Sequence, residues 1–101
     1  MTIRHHSIKP MHPGELLREE LLPQISLSKT AIAKALGISR QTLYDIINER
    51  QPVSAKMAVR LGKFIGNGPA LWINLQSAFD LADAEQSVDV SGIETLVLGD
   101  A

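Results

Sequence analysis

Apolar residues recur at three- and four-residue spacing along most of the chain, and this pattern predicts an all-α fold of five helices. Pro13 and Pro23 bracket the first helix, and residues 28–36 and 39–48 form the second and third. The fourth follows Ser54 and breaks at 67–69, and the fifth runs from about Pro69 to Gln86. Beyond it, apolar and polar residues roughly alternate up to Leu98, which indicates a short strand or an extended tail that packs on a partner.

The second and third helices, within Ser28–Arg50, have the spacing of a helix-turn-helix. A small residue, Ala33, allows the two helices to approach closely, and Gly37 ends the first of them where positive φ is needed. Ile38 then fills the turn, and the apolar residues of the two helices face each other. In a helix-turn-helix the second helix enters the DNA major groove. The alternative is an ordinary pair of helices inside some other bundle.

Length and charge suggest one domain with two unlike ends. The 101 residues divide into a flexible N-terminal arm (1–12), a helix-turn-helix domain with a C-terminal dimerisation helix (13–86) and an extended tail (87–101). Residues 1–67 hold all ten Lys and Arg with five acids, whereas residues 68–101 hold six acids and no base. A basic part suits phosphates, and an acidic part suits a basic protein.

Other classes of protein fit the sequence poorly. The chain has no cysteine, no secretory-type leader and no apolar run near the roughly 20 residues that span a bilayer, so we expect a cytoplasmic protein. The pair His5 and His6 could bind a metal, but with His12 they fall in the predicted arm and lack a third ligand at useful spacing. We expect no metal, no cofactor and no enzyme activity, because no catalytic constellation or glycine-rich phosphate loop is present.

The predicted DNA-contacting residues lie on and beside the third helix. Arg40 can pair with guanine, Gln41 with adenine, and the Thr42 methyl with a thymine methyl. Asp45 would be repelled by phosphate unless it accepts from a cytosine amine or pairs with Arg50. The full set of predicted base contacts is Ser39, Arg40, Gln41, Thr42, Tyr44 and Asp45, and the set of predicted phosphate contacts is Ser28, Lys29, Lys34, Asn48 and Arg50.

One monomer buries too little surface for tight specific binding, so a homodimer on a palindromic operator of double-stranded DNA is expected. The apolar stripe of the fifth helix is the predicted dimer interface, formed by Trp72, Leu75, Phe79 and Ala82. The alternative is that this stripe only closes the core of the monomer.

Four segments of the chain resemble the HigA/VapI antitoxins, a branch of the Xre-type, lambda-repressor-like helix-turn-helix family. They are Met11–Glu15 (MHPGE), the helix-turn-helix ending at Arg50, Pro69–Leu81 (PALWINLQSAFDL) and Asp89–Ile93 (DVSGI). The resemblance implies a five-helix, dimeric repressor of its own operon. It also implies a partner, a small basic mRNA-cleaving toxin of the HigB/RelE-like type, which is neutralised by complex formation.

At Tyr44-Asp45 the chain departs from the family, because many relatives have a Ser-Arg pair there. Base contacts at these two positions therefore do not carry over from the resemblance. Two other functions remain open: a stand-alone Xre-type transcriptional regulator without a toxin, and a protein-interaction module that has lost specific DNA binding.

Overall fold

The chain is described by a computed structural model over residues 9–99. This part contains five helices and no strand: α1 (Pro13–Leu16), α2 (Lys29–Leu36), α3 (Arg40–Ile47), α4 (Ala55–Ile65) and α5 (Ala70–Ser87). After α1 the backbone continues as a π-helical turn (Leu17–Leu21) and a 3-10 turn (Leu22–Gln24). The all-α, five-helix prediction is confirmed. None of the helices in residues 9–99 is long and apolar enough to cross a lipid bilayer.

Serine side chains start the three middle helices. The hydroxyl oxygens of Ser28, Ser39 and Ser54 each accept a hydrogen bond from the backbone N–H three residues later, at 3.0–3.1 Å. At the end of α2, Gly37 has φ 74°, in the left-handed region that favours glycine. The limits of the helix-turn-helix are therefore set by local interactions.

His12 differs from the prediction that it belongs to a flexible arm. It is the N-cap of α1, where its Nδ1 accepts a hydrogen bond from the Gly14 N–H at 2.8 Å. Its side chain is buried, and its ring meets the Phe79 ring edge-on with 4.9 Å between the centroids. The assignment of His12 to the arm was wrong because this residue joins α1 to α5. His5, His6 and the rest of residues 1–8 lie outside the described residues.

The core lies between α1, α2, α3 and α4 and is closed by the first turns of α5. Trp72 is fully buried in it, and its Nε1–H donates to Asn67 Oδ1 at 3.0 Å. The prediction that Trp72 lies at a dimer interface is therefore wrong, and the alternative holds for this residue. Phe79 is half-buried against His12 of the same chain.

Beyond α5 the chain leaves the core. Residues 88–99 form no regular element apart from a turn at 91–92, and their aliphatic side chains are exposed. The radius of gyration is 17.3 Å, larger than the roughly 13 Å of a compact chain of about 100 residues. The sequence pattern allowed a short strand or an extended tail, and residues 88–99 form a tail.

Candidate nucleic-acid interface

The third helix presents a polar face whose position is fixed by the apolar face opposite. Leu43, Ile46 and Ile47 are buried, as predicted, and together they anchor α3 in the core. On the other side Arg40 and Gln41 are exposed at the helix start. The N-terminal half of α3 is therefore the part that an external ligand can reach.

The turn between α2 and α3 is fixed from α4. The Ile38 N–H donates to the Ala33 carbonyl at 3.0 Å, which closes the end of α2. Arg60 then donates from Nη1 to the Leu36 carbonyl at 2.8 Å. Local sequence patterns did not point to Arg60, because its partner lies 24 residues earlier in the chain.

The predicted base-contacting residues at the start of α3 fall into two groups. Ser39 and Thr42 bond to each other: the Ser39 Oγ accepts the Thr42 N–H and donates to the Thr42 Oγ1 at 2.8 Å. Their polar groups thus hold the first turn of the helix. Arg40 instead reaches toward α2, where its Nη1 donates to Thr30 Oγ1 at 3.3 Å. Arg40 is therefore brought next to the start of α2.

The predicted phosphate-contacting residues are only partly brought together. Ser28 and Lys29 lie at the start of α2, where the first N–H groups of a helix lack intrahelical partners and the helix dipole favours an anion. Lys34 is exposed in the last turn of the same helix, at its other end. Asn48 is the exposed C-cap of α3. The structure thus groups Ser28 and Lys29 near Arg40 and leaves Lys34 apart from them.

The predicted pairing of Asp45 with Arg50 is present. Asp45 Oδ1 accepts from Arg50 Nη2 at 3.2 Å and from Gln41 Nε2 at 2.8 Å. Tyr44, its neighbour, is half-buried against the core. The acidic group of α3 therefore does not stand alone, because it is paired with a basic and an amide side chain of its own segment.

The C-terminal end of α3 rests on the first helix. A Cβ atom at Gly14 would overlap the carbonyl oxygen of Ile46, so only glycine permits this close approach. Arg18 donates to the Ile47 carbonyl and, at 3.2 Å, to the Glu49 carboxylate. The Pro13-Gly14 pair at the start of α1 was the only sequence signal for the close approach of Gly14 to Ile46.

The loop after α3 is held by a buried side chain of α5. Gln76 Oε1 accepts the Val53 N–H at 2.8 Å, and Gln76 Nε2 donates to Asp80 Oδ1 at 2.9 Å. This role of Gln76 could not be predicted from local sequence patterns, because Val53 lies 23 residues earlier. The available signal was a polar residue one helical turn after Trp72, on the face that the apolar stripe buries.

Two short helices at a fixed turn, with the polar start of the second exposed, define a helix-turn-helix module of the DNA-binding type. Within residues 9–99 no group of three or more His, Asp and Glu side chains is arranged to hold a metal ion.

Comparison with known proteins agrees with this class. Residues 17–72 match the helix-turn-helix family. The chain is 43% identical to virulence-associated protein I of Dichelobacter nodosus over 76 residues, which cover 75% of this chain and 70% of that protein. It is 36% identical to antitoxin HigA-1 of Vibrio cholerae over 75 residues, which cover 74% of this chain and 70% of that protein. The solved structure of antitoxin GraA in complex with its operator has a TM-score of 0.82 and 41% identity, and the match covers 91% of this chain and 95% of that one.

The chain therefore belongs to the Xre-type helix-turn-helix proteins, in the branch of the HigA antitoxins and virulence-associated protein I, and it is a DNA-binding regulator of that family and not an enzyme.

Proposed function

We propose that this chain binds as a homodimer to a palindromic operator in the promoter of its own operon, represses that operon, and neutralises a HigB/RelE-like toxin by forming a complex with it. The observation that carries the DNA-binding part is the exposure of Arg40 and Gln41 at the start of α3, next to the start of α2. The relative GraA has been solved with its own operator, which supports the same use of this fold here.

The chemistry of the exposed groups suits the major groove. Arg40 can donate two hydrogen bonds to guanine O6 and N7, and Gln41 can pair with adenine N6 and N7. Ser28 and Lys29 would receive a phosphate at the start of α2, where N–H groups and the helix dipole point outward. Ser39 and Thr42 would act chiefly by holding the first turn of α3 in place.

The dimer interface is proposed on the outer face of α5. Leu71 is exposed, Leu75 and Ala82 are half-buried, and their spacing places all three on one side of the helix. Leu75 and Ala82 were predicted at this interface, and Leu71 takes the place of the buried Trp72. A dimer can place two recognition helices roughly 34 Å apart, which is one turn of DNA.

The test of the DNA-binding part measures the affinity of the purified chain for a fragment of its own promoter and for a scrambled fragment of the same composition. We expect preference for the promoter, and Arg40→Ala should weaken that binding by about 1–3 kcal/mol. Lys63→Ala is the matched control, because it removes one positive charge from the last turn of α4. Equal binding to the two fragments would contradict a specific repressor.

The toxin-binding part is supported by charge. Residues 68–101 carry six acids and no base, which favours a basic protein partner. The experiment is co-expression with the adjacent gene, followed by capture of a tagged copy of this chain. Recovery of a small basic protein whose mRNA-cleaving activity is suppressed in the complex supports the antitoxin role. A neighbouring gene product that is neither bound nor toxic would favour a stand-alone regulator.

A further inference from the structure

The carboxylate of Asp45 organises the outer face of the recognition helix. A single oxygen, Oδ1, accepts from Gln41 Nε2 at 2.8 Å and from Arg50 at 3.2 Å (Nη2) and 3.4 Å (Nε). Gln41 and Asp45 are four residues apart and therefore lie on the same side of α3. The residue proposed to read adenine is thus already bonded to a neighbour before DNA arrives.

We propose that Asp45 is a positioning residue, which sets the base preference of the protein by fixing the orientation of the Gln41 amide. The inference depends on the proposed entry of α3 into the major groove. A glutamine amide has a donor end and an acceptor end, and rotation by half a turn about its last bond exchanges them. Asp45 accepts only, so it holds the nitrogen end toward itself and leaves the carbonyl oxygen of Gln41 on the other side.

The fixed orientation has a consequence for base recognition. The second N–H of the Gln41 amide remains free beside the carbonyl, and this donor-and-acceptor pair matches adenine, which offers N7 as acceptor and N6–H as donor. Guanine offers two acceptors, N7 and O6, so the held carbonyl oxygen would face a like partner. Asp45 therefore favours adenine over guanine at the base read by Gln41.

Arg50 makes this arrangement compatible with DNA. An acid on a recognition helix would be repelled by phosphates, but the guanidinium bonded to Asp45 offsets that charge. The side chain of Asp45 is 27% exposed and that of Arg50 is 59% exposed, so the basic partner is the more accessible of the two. The Tyr44-Asp45 departure from the family pattern thus replaces a possible DNA-contacting Arg by a group that acts through Gln41.

The experiment compares wild type, Gln41→Ala, Asp45→Ala and Asp45→Asn on an operator library that contains every single-base substitution. Gln41→Ala identifies the base pair that this residue reads. Asp45→Ala should reduce the preference for adenine at that same pair by about fivefold or more and leave the pair read by Arg40 unchanged. Asp45→Asn should retain the preference, because the Arg50 guanidinium holds an amide oxygen in the place of Oδ1.

Each other outcome has a defined meaning. An unchanged preference in Asp45→Ala, or no identifiable base pair for Gln41→Ala, would overturn the inference. If Asp45→Asn lost the preference for adenine as much as Asp45→Ala does, the effect would come from charge and the inference would be overturned. A uniform loss of affinity at all base pairs would indicate a structural defect and would also overturn it. Failure of the wild type to prefer its operator would instead refute the proposed function.

Discussion

Replacing His12 by Ala removes two contacts, one that caps the start of the first helix and one that joins this helix to the last. One is the hydrogen bond from the Gly14 N–H to Nδ1, at 2.8 Å, and the other is the edge-on contact with the Phe79 ring, at 82° between the planes. Loss of an N-cap costs about 1 kcal/mol, and loss of an aromatic pair also costs about 1 kcal/mol. We therefore expect the free energy of unfolding to fall by about 2 kcal/mol, which lowers the melting temperature by about 10 °C for a domain of this size.

His12→Asn separates the two contributions. Asparagine is among the preferred N-cap residues, so this variant keeps an acceptor for the Gly14 N–H and loses only the ring. His12→Asn should therefore recover about half of the stability that His12→Ala loses. The assay is urea and thermal unfolding followed by far-UV circular dichroism, with both variants measured beside the wild type.

Wild type and His12→Asn also test how the stability of the protein depends on pH. Burial lowers the pKa of His12 below its ordinary value of 6.5, although the nearby carboxylates of Glu49 and Asp80 oppose the shift. The unfolded chain therefore takes up a proton at a higher pH than the folded chain does. The stability contributed by neutral His12 is complete above pH 6.5 and is lost as the pH falls through the lower pKa of the folded state.

Asparagine does not titrate, so wild type should lose stability relative to His12→Asn as the pH falls below 6.5. Parallel stability curves for these two proteins would contradict the lowering of the His12 pKa by burial. A His12→Ala variant as stable as wild type at neutral pH would show that neither contact of His12 contributes to stability.

Three further substitutions test the supports of α3 and the proposed dimer interface. Gly14→Ala should lower the free energy of unfolding in urea by about 1–3 kcal/mol, because its Cβ meets the backbone at Ile46. Gly92→Ala is the control, since its Cβ meets open space and should have little effect; equal stabilities of the two variants would contradict this packing. Gln76→Met should cost about 1–3 kcal/mol in the same assay by leaving the Val53 N–H unpaired, and an unchanged midpoint would contradict that role. Leu71→Glu should give folded monomers by light scattering, and Val59→Glu on α4 should leave the dimer intact; a dimeric Leu71→Glu protein would exclude this face.

Local interactions explain why much of the fold could be predicted from the sequence. The serine caps and the positive φ of Gly37 depend on residues at most a few positions apart, and hydrophobic periodicity shows which face of α3 is buried. His12 was missed because imidazole is not among the common N-cap groups. The Pro-Gly that follows it nevertheless predicts a helix start, so the residue before that proline must be the cap.

The remaining parts of the site could not be predicted because they join distant residues. Arg60 bonds to Leu36 across 24 positions, and Arg18 bonds to Ile47 across 29. A single sequence shows that these residues are polar but does not show which partners they have. The apolar stripe of α5 was ambiguous for a related reason, since its pattern does not tell which side faces the monomer core and which side faces outward.

The same long-range contacts bear on how DNA recognition could vary in this fold. The recognition helix is supported by Gly14 and Arg18 at its end, by Arg60 at the turn before it and by Gln76 at the loop after it. A helix that is held in this way loses little conformational freedom on binding, so its exposed side chains set the affinity and the specificity. Substitutions at Gln41 and Asp45 should therefore change which base is preferred at little cost in stability, because neither residue belongs to these supports. Of the departure at Tyr44-Asp45, Tyr44 packs against the core, whereas Asp45 bonds to the exposed Gln41, where a change of operator requires no change of fold.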